Sequence, residues 1–109
     1  MANLRGKVVL ITGAARGIGA GTARELAKRG AKLVLVDLDA APLEELATEI
    51  GTDVALAIAA DVCDFAALEA AVAGGVDAFG GIDMVVANAG IASYGSVREI
   101  DPAMFKRVV

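Results

Sequence analysis

Four short apolar runs rich in β-branched residues alternate with longer stretches of helical period, which predicts an α/β fold built on a doubly wound parallel sheet. Two further observations point the same way. The runs are continuously apolar rather than alternating, as strands covered on both faces are, and the glycine-rich stretch TGAARGIG, residues 12–19, follows the first run directly. The strands fall at Lys7 to Thr12, Lys32 to Val36, Val54 to Ala60 and Ile82 to Ala87. Their expected spatial order is 3-2-1-4.

The helices between them are justified in turn. Gly17 to Arg29 carries Ile18, Thr22 and Leu26 at four-residue spacing, and Gly30 is its stop. Pro42 stands where the second helix begins; Leu43, Leu46, Ala47 and Ile50 form its apolar stripe before Gly51 ends it. Asp64 is the N-cap of a third helix with the stripe Leu68, Val72, Val76 and Phe79. Gly74 and Gly75 each weaken that helix by about 1 kcal/mol relative to alanine, so a bend or irregular turn is expected there. Asp101-Pro102 opens a further helix that ends with the chain at Val109, about two turns in. The sequence therefore reads as one domain, residues 1–109, cut before its fold is finished. Met84, Val85 and Val86 would then form an open apolar sheet edge.

Composition narrows the function. With 57 % hydrophobic and 22 % charged residues, the 109-residue chain is globular in character. A net charge of -4, with its basic residues scattered, argues against a nucleic-acid partner. No apolar stretch approaches the roughly 18 to 20 residues that span a bilayer, and the N-terminus MANLRGK has no hydrophobic signal region. The expectation is a cytoplasmic protein with no membrane partner. Histidine is absent and Cys63 is the single cysteine, so neither a zinc cluster nor an imidazole base is expected. Cys63 reads as a free, buried thiol.

The stretch TGAARGIG carries the chemistry. A glycine turn between a strand and a helix gathers unpaired backbone N–H groups and the positive end of the helix dipole, which suits a phosphate or pyrophosphate. Gly13 would make the tight turn, Gly17 would let the anion approach, and Gly19 would let the helix pack close to the first strand. A flexible loop is the plainer alternative. The spacing T-G-x-x-x-G-x-G differs from the generic G-x-G-x-x-G.

That spacing resembles the coenzyme motif of the classical short-chain dehydrogenase/reductase family. The resemblance extends along nearly the whole chain, through "VDLD" after the second strand, "ADV" after the third and "ANAG" after the fourth. It implies a Rossmann-like fold and the N-terminal, coenzyme-binding portion of an NAD-dependent oxidoreductase. Asp37, followed by Leu38, ends the second strand, where a carboxylate can accept hydrogen bonds from both adenosine ribose hydroxyls. Its charge would oppose a 2'-phosphate, which favours NAD over NADP, although Arg16 stands where some NADP-preferring members of the family carry a basic residue. A solvated helix N-cap is the plainer role for Asp37. By resemblance, Ile18 joins the coenzyme contacts, Asp61 and Val62 hold the adenine, and Asn88, Ala89 and Gly90 lie against the coenzyme, with Asn88 bracing the sheet. Asp61 could instead be an N-cap, in competition with Asp64. Ala87 stands where family members often have another asparagine.

The stretch Tyr94 to Arg98, YGSVR, imitates the family's Y-x-x-x-K proton-transfer pair beside Ser93. It follows the Asn88-Ala89-Gly90 turn too closely to lie on the later helix that carries that pair, and arginine holds its charge where lysine is required. The resemblance requires a serine, a tyrosine, a lysine and an asparagine for hydride transfer between nicotinamide and an alcohol or ketone, and none has a match here. No catalytic residue is assigned. Dimers or tetramers are common in the family, so a homo-oligomer is implied. Two other readings stay open: an S-adenosylmethionine-dependent methyltransferase, which also has a glycine turn after strand one, and a non-catalytic nucleotide-binding module.

Overall fold

A computed structural model describes residues 3–88. Its elements, in chain order, are β1 (Val8–Thr12), α1 (Gly17–Lys28), β2 (Lys32–Asp37), α2 (Ala40–Ile50), β3 (Ala55–Ala59), α3 (Phe65–Phe79) and β4 (Met84–Ala87). The strands form one parallel sheet in the order β3-β2-β1-β4, as expected. β1 lies between β2 and β4, with Leu10 opposite both Val34 and Val85. The residues expected to form a last helix from Asp101-Pro102 lie outside the described residues, as do Ala89, Gly90, Ser93, Tyr94 and Arg98.

Side chains of a strand point alternately to its two faces, and the two central strands use this to build two cores. Val9, Ile11, Leu33 and Leu35 pack with Ala20, Ala23, Leu43 and Leu46, which puts α1 and α2 on one face. Val8, Leu10, Val34 and Val36 pack with Ala71 and Val72, which puts α3 on the other. All eight of these strand residues are buried, so β1 and β2 read as continuous apolar runs. Each fully buried Leu or Ile contributes about 2 kcal/mol by its removal from water.

Three details depart from the sequence expectations. Helix α2 starts at Ala40, so Pro42 occupies its first turn, where its missing N–H leaves no helical bond unmade. Ile18 does not join an inward stripe. It is 80 % exposed, while Gly19, Ala20 and Ala23 face the sheet instead. Finally, α3 runs as one α-helix through Gly74 and Gly75, with no irregular turn between them. The reason is close packing: a Cβ on Gly75 would sit 2.7 Å from Val34 Cγ2 and 2.8 Å from Ile82 Cδ1. Gly75 lets the helix lie against the sheet. Asp64 caps this helix as expected, accepting from the Ala67 N–H at 3.2 Å.

Two polar ties fix the layers. Arg24 on α1 donates from Nε and Nη2 to the two carboxylate oxygens of Glu49 on α2, at 2.7 and 3.1 Å. These hydrogen bonds hold the Glu49 carboxyl below its ordinary range and raise Arg24 above its own. Asp83, just before β4, accepts from the Val8 N–H at 2.8 Å and donates its own N–H to the Val8 carbonyl at 2.8 Å. β4 is thereby registered on β1 at its start. Met84 on β4, the outermost strand among the described residues, is 43 % exposed, and Val85 and Val86 are half-buried. Among the described residues no helix is long and apolar enough to cross a membrane.

Candidate functional site

In a parallel sheet all strands deliver their carboxyl ends to one rim, and an open α/β sheet holds ligands there, at the point where strand order reverses. Here the reversal lies at β1, between β2 and β4. Thr12 ends β1, Asp37 ends β2, Asp61 follows β3 and Asn88 follows β4, so the four motifs singled out in the sequence meet at this rim.

The glycine turn is folded down onto the end of β2. Its Ala14 N–H donates to the Val36 carbonyl at 3.2 Å, and its Ala15 N–H donates to Asp37 Oδ2 at 3.0 Å. Gly13 and Gly17 have φ of 65° and 61°, a left-handed conformation that side chains disfavour. The three glycines then separate by task. A Cβ on Gly19 would sit 2.1 Å from the Gly13 carbonyl oxygen and 2.9 Å from Asn88 Nδ2, so only glycine lets α1 start this close to the turn. A Cβ on Gly17 would meet no atom within 4 Å, so the space above it is open. The first turn of a helix has no intrahelical acceptor for its amides. In α1 the first to find one is Ala20, whose N–H donates to the Arg16 carbonyl at 3.4 Å. The amides of Gly17, Ile18 and Gly19 precede it, beside that open space.

Asp37 is half-buried, and backbone donors orient it. Besides Ala15, the Asp39 N–H donates to its Oδ1 at 3.3 Å. Each carboxylate oxygen has further acceptor capacity, so ribose hydroxyls can still be received. The N-cap position of α2 belongs to Asp39, not to Asp37. Arg16 and Asp39 form an ion pair with largely exposed side chains. Ile18 in the first turn of α1 and Leu38 after β2, 80 % and 68 % exposed, put two large apolar side chains at the same rim.

After β3, Asp61 is exposed and its Oδ1 accepts from the Cys63 N–H at 2.8 Å, closing a tight local turn. Val62 is half-buried against the α3-side core. Cys63 itself is exposed, which corrects the expectation of a buried thiol. It lies in the turn that leads into α3 rather than on a core-facing element.

Asn88 closes the rim. Its backbone N–H donates to Thr12 Oγ1 at 2.9 Å, and its side-chain Nδ2 donates to the Gly13 carbonyl at 3.3 Å. The bracing implied for Asn88 is thus aimed at the glycine turn. Thr12 is the residue whose part sequence reasoning missed. The signal was a buried polar residue closing an apolar strand, 6 % exposed in the fold. The partnership of Arg16 with Asp39 was missed as well.

The family model described as short chain dehydrogenase matches residues 7–109. Trans-4-hydroxycyclohexanecarboxylate dehydrogenase of Sinomonas cyclohexanicum is 43 % identical over 111 residues, covering 94 % of this chain and 43 % of the relative. Galactitol 2-dehydrogenase of Agrobacterium fabrum is 43 % identical over 105 residues, covering 96 % of this chain and 41 % of the relative. Among solved structures, 3-ketoacyl-(acyl-carrier-protein) reductase from Brucella melitensis, complexed with NADH, superposes with a TM-score of 0.78 at 48 % identity. That match covers 97 % of this chain and 43 % of the reductase. The chain spans less than half the length of these relatives.

Proposed function

Because the chain belongs to the short-chain dehydrogenase family, we propose that it forms the dinucleotide site of an NAD(H)-dependent oxidoreductase that interconverts an alcohol and a ketone. The observation that carries this reading is the meeting of Asp37 with the glycine turn. The acid that would receive the ribose is hydrogen-bonded at 3.0 Å to the loop that would receive the pyrophosphate.

The residues fit the coenzyme on physical grounds. Open space at Gly17 admits a bulky anion to the backbone, and the amides of Gly17, Ile18 and Gly19 with the α1 dipole supply its electrostatic partner. Asp37 accepts from the 2'- and 3'-hydroxyls with its spare lone pairs and repels a 2'-phosphate, which selects NAD over NADP. Asp61 and Val62 bound the adenine end. Ile18 and Leu38 give apolar surface against which the rings exclude water. Asn88 holds Gly13 and keeps the cradle in shape, and Ala89 and Gly90 continue the coenzyme contacts by family resemblance. When bound, the nicotinamide supplies the carbon that gives or takes hydride; the protein supplies position and electrostatics. A small alcohol or ketone substrate, a homo-oligomeric assembly and a cytoplasmic setting belong to the same reading. Kinship with dehydrogenases supports the first, family resemblance the second, and a single cysteine, which cannot form an internal disulfide, the third.

Titration of NADH fluorescence tests the reading. The unaltered protein is expected to bind NADH and to ignore S-adenosylmethionine. Asp37→Ala is expected to weaken NADH binding by about 2 kcal/mol, roughly thirtyfold, and to narrow the preference over NADPH. Equal, unchanged affinity for both coenzymes in a folded variant would remove the ground for choosing NAD.

A further inference from the structure

Each of the described ion pairs has its own setting, and one is placed to act on a ligand. Arg24–Glu49 joins two helices, and Arg29–Glu25 ties the C-cap of α1 to the turn before it. Arg16–Asp39 joins the glycine turn to the loop between β2 and α2, on either side of Asp37. The connections form a closed ring. The Ala15 N–H binds Asp37 Oδ2, the Asp39 N–H binds Asp37 Oδ1, the Asp39 carboxylate binds the Arg16 guanidinium, and Arg16 follows Ala15 in the chain.

We propose that Asp39 is a second specificity-determining residue, which acts by holding Arg16 away from a phosphate on the adenosine ribose. The proposal rests on the dinucleotide reading above. An arginine beside a ribose acid is the natural partner of a 2'-phosphate, because its planar fork can bind that group bidentately. In this ring the fork is occupied by Asp39. A 2'-phosphate must therefore displace a carboxylate from Arg16 and then face two acids, Asp37 and Asp39, with one cation to offset them. An unphosphorylated ribose needs only Asp37 and leaves the ring intact. The pair is too exposed, at 71 % and 55 % for the two side chains, to add much stability. Its effect falls on the choice between ligands. Asp39 is thus a positioning residue, and no direct contact with the coenzyme is required of it.

The test is a double-mutant cycle in the full-length protein, with dissociation constants for NADH and NADPH read by nucleotide fluorescence. Asp39→Asn keeps the size and removes the charge; Asp39's side chain makes no capping bond to α2, so the change removes no helix cap. Asp39→Asn is expected to tighten NADPH about tenfold and to leave NADH within about twofold. With Arg16→Gln already in place, the same change is expected to tighten NADPH only about twofold. An equal gain in both backgrounds would overturn the proposal, since Asp39 would then act as a bare charge and not through Arg16. Undiminished NADH binding with no NADPH gain would overturn it too, while leaving the dinucleotide reading intact. Failure of the unaltered protein to bind either coenzyme would overturn both.

Discussion

Gly17 and Gly19 stand two positions apart in one turn, and the structure keeps each for a different reason. Gly19 has no room: its missing side chain is the space in which the Gly13 carbonyl and the Asn88 amide meet. Gly17 has room to spare, but its φ of 61° suits glycine, and among the described residues no atom lies within 4 Å of where its Cβ would be. The difference teaches that one glycine serves the protein's own packing, whereas the other serves backbone handedness and whatever comes to lie against it.

The sharpest way to break this contrast is Gly19→Ala. Its Cβ would press on a backbone oxygen that cannot swing aside, so a loss of about 3 kcal/mol or more is expected in chemical denaturation, together with loss of NADH binding. A variant of undiminished stability would show that the close approach is not needed. Gly17→Ala is expected to cost less, about 1 to 2 kcal/mol, which is the steric penalty of a left-handed residue. Here NADH affinity should fall by more than stability does, and binding that tracks stability alone would erase the distinction.

Gly74 and Gly75 extend the comparison to α3 with the smallest effects. Gly75→Ala would gain about 1 kcal/mol of helix propensity but must push into Val34 and Ile82, so a net loss of about 1 kcal/mol is expected. Gly74→Ala would meet only the far end of Ile58, Cδ1 at 3.1 Å, and is expected to stabilise by up to about 1 kcal/mol. Thermal midpoints moving in opposite directions would confirm that neighbouring glycines can be fixed by packing in one case and left free in the other.

Much of the architecture was legible because its signals are local. Continuous apolar runs gave β1 and β2 nearly to the residue, and the strand order is that of the Rossmann-like fold which the family resemblance implies. The glycine spacing and Asp37 pointed to the candidate rim at the carboxyl ends of the strands. What escaped depends on contacts between distant segments. Gly74 and Gly75 look like a weak point along the helix axis, and only the proximity of Val34 turns Gly75 into a packing requirement. Cys63 carries a residue type that is commonly buried, yet the turn closed by Asp61 leaves it outside. Ile18 fits the helical stripe by spacing, but α1 begins so close to the turn that its first residues overhang the rim rather than the sheet. Arg16 and Asp39 are paired by the fold and by no pattern in the chain.

The link from Asn88 to Thr12 and Gly13 spans most of the described chain. Long loops close slowly relative to neighbouring contacts. The cradle's final geometry therefore awaits the docking of β4, even though Gly13, Gly17 and Gly19 are synthesised well before Asn88. A newly made chain thus carries its nucleotide motif long before it can use it, and a ligand that favours the finished cradle would draw the fourth strand home by mass action.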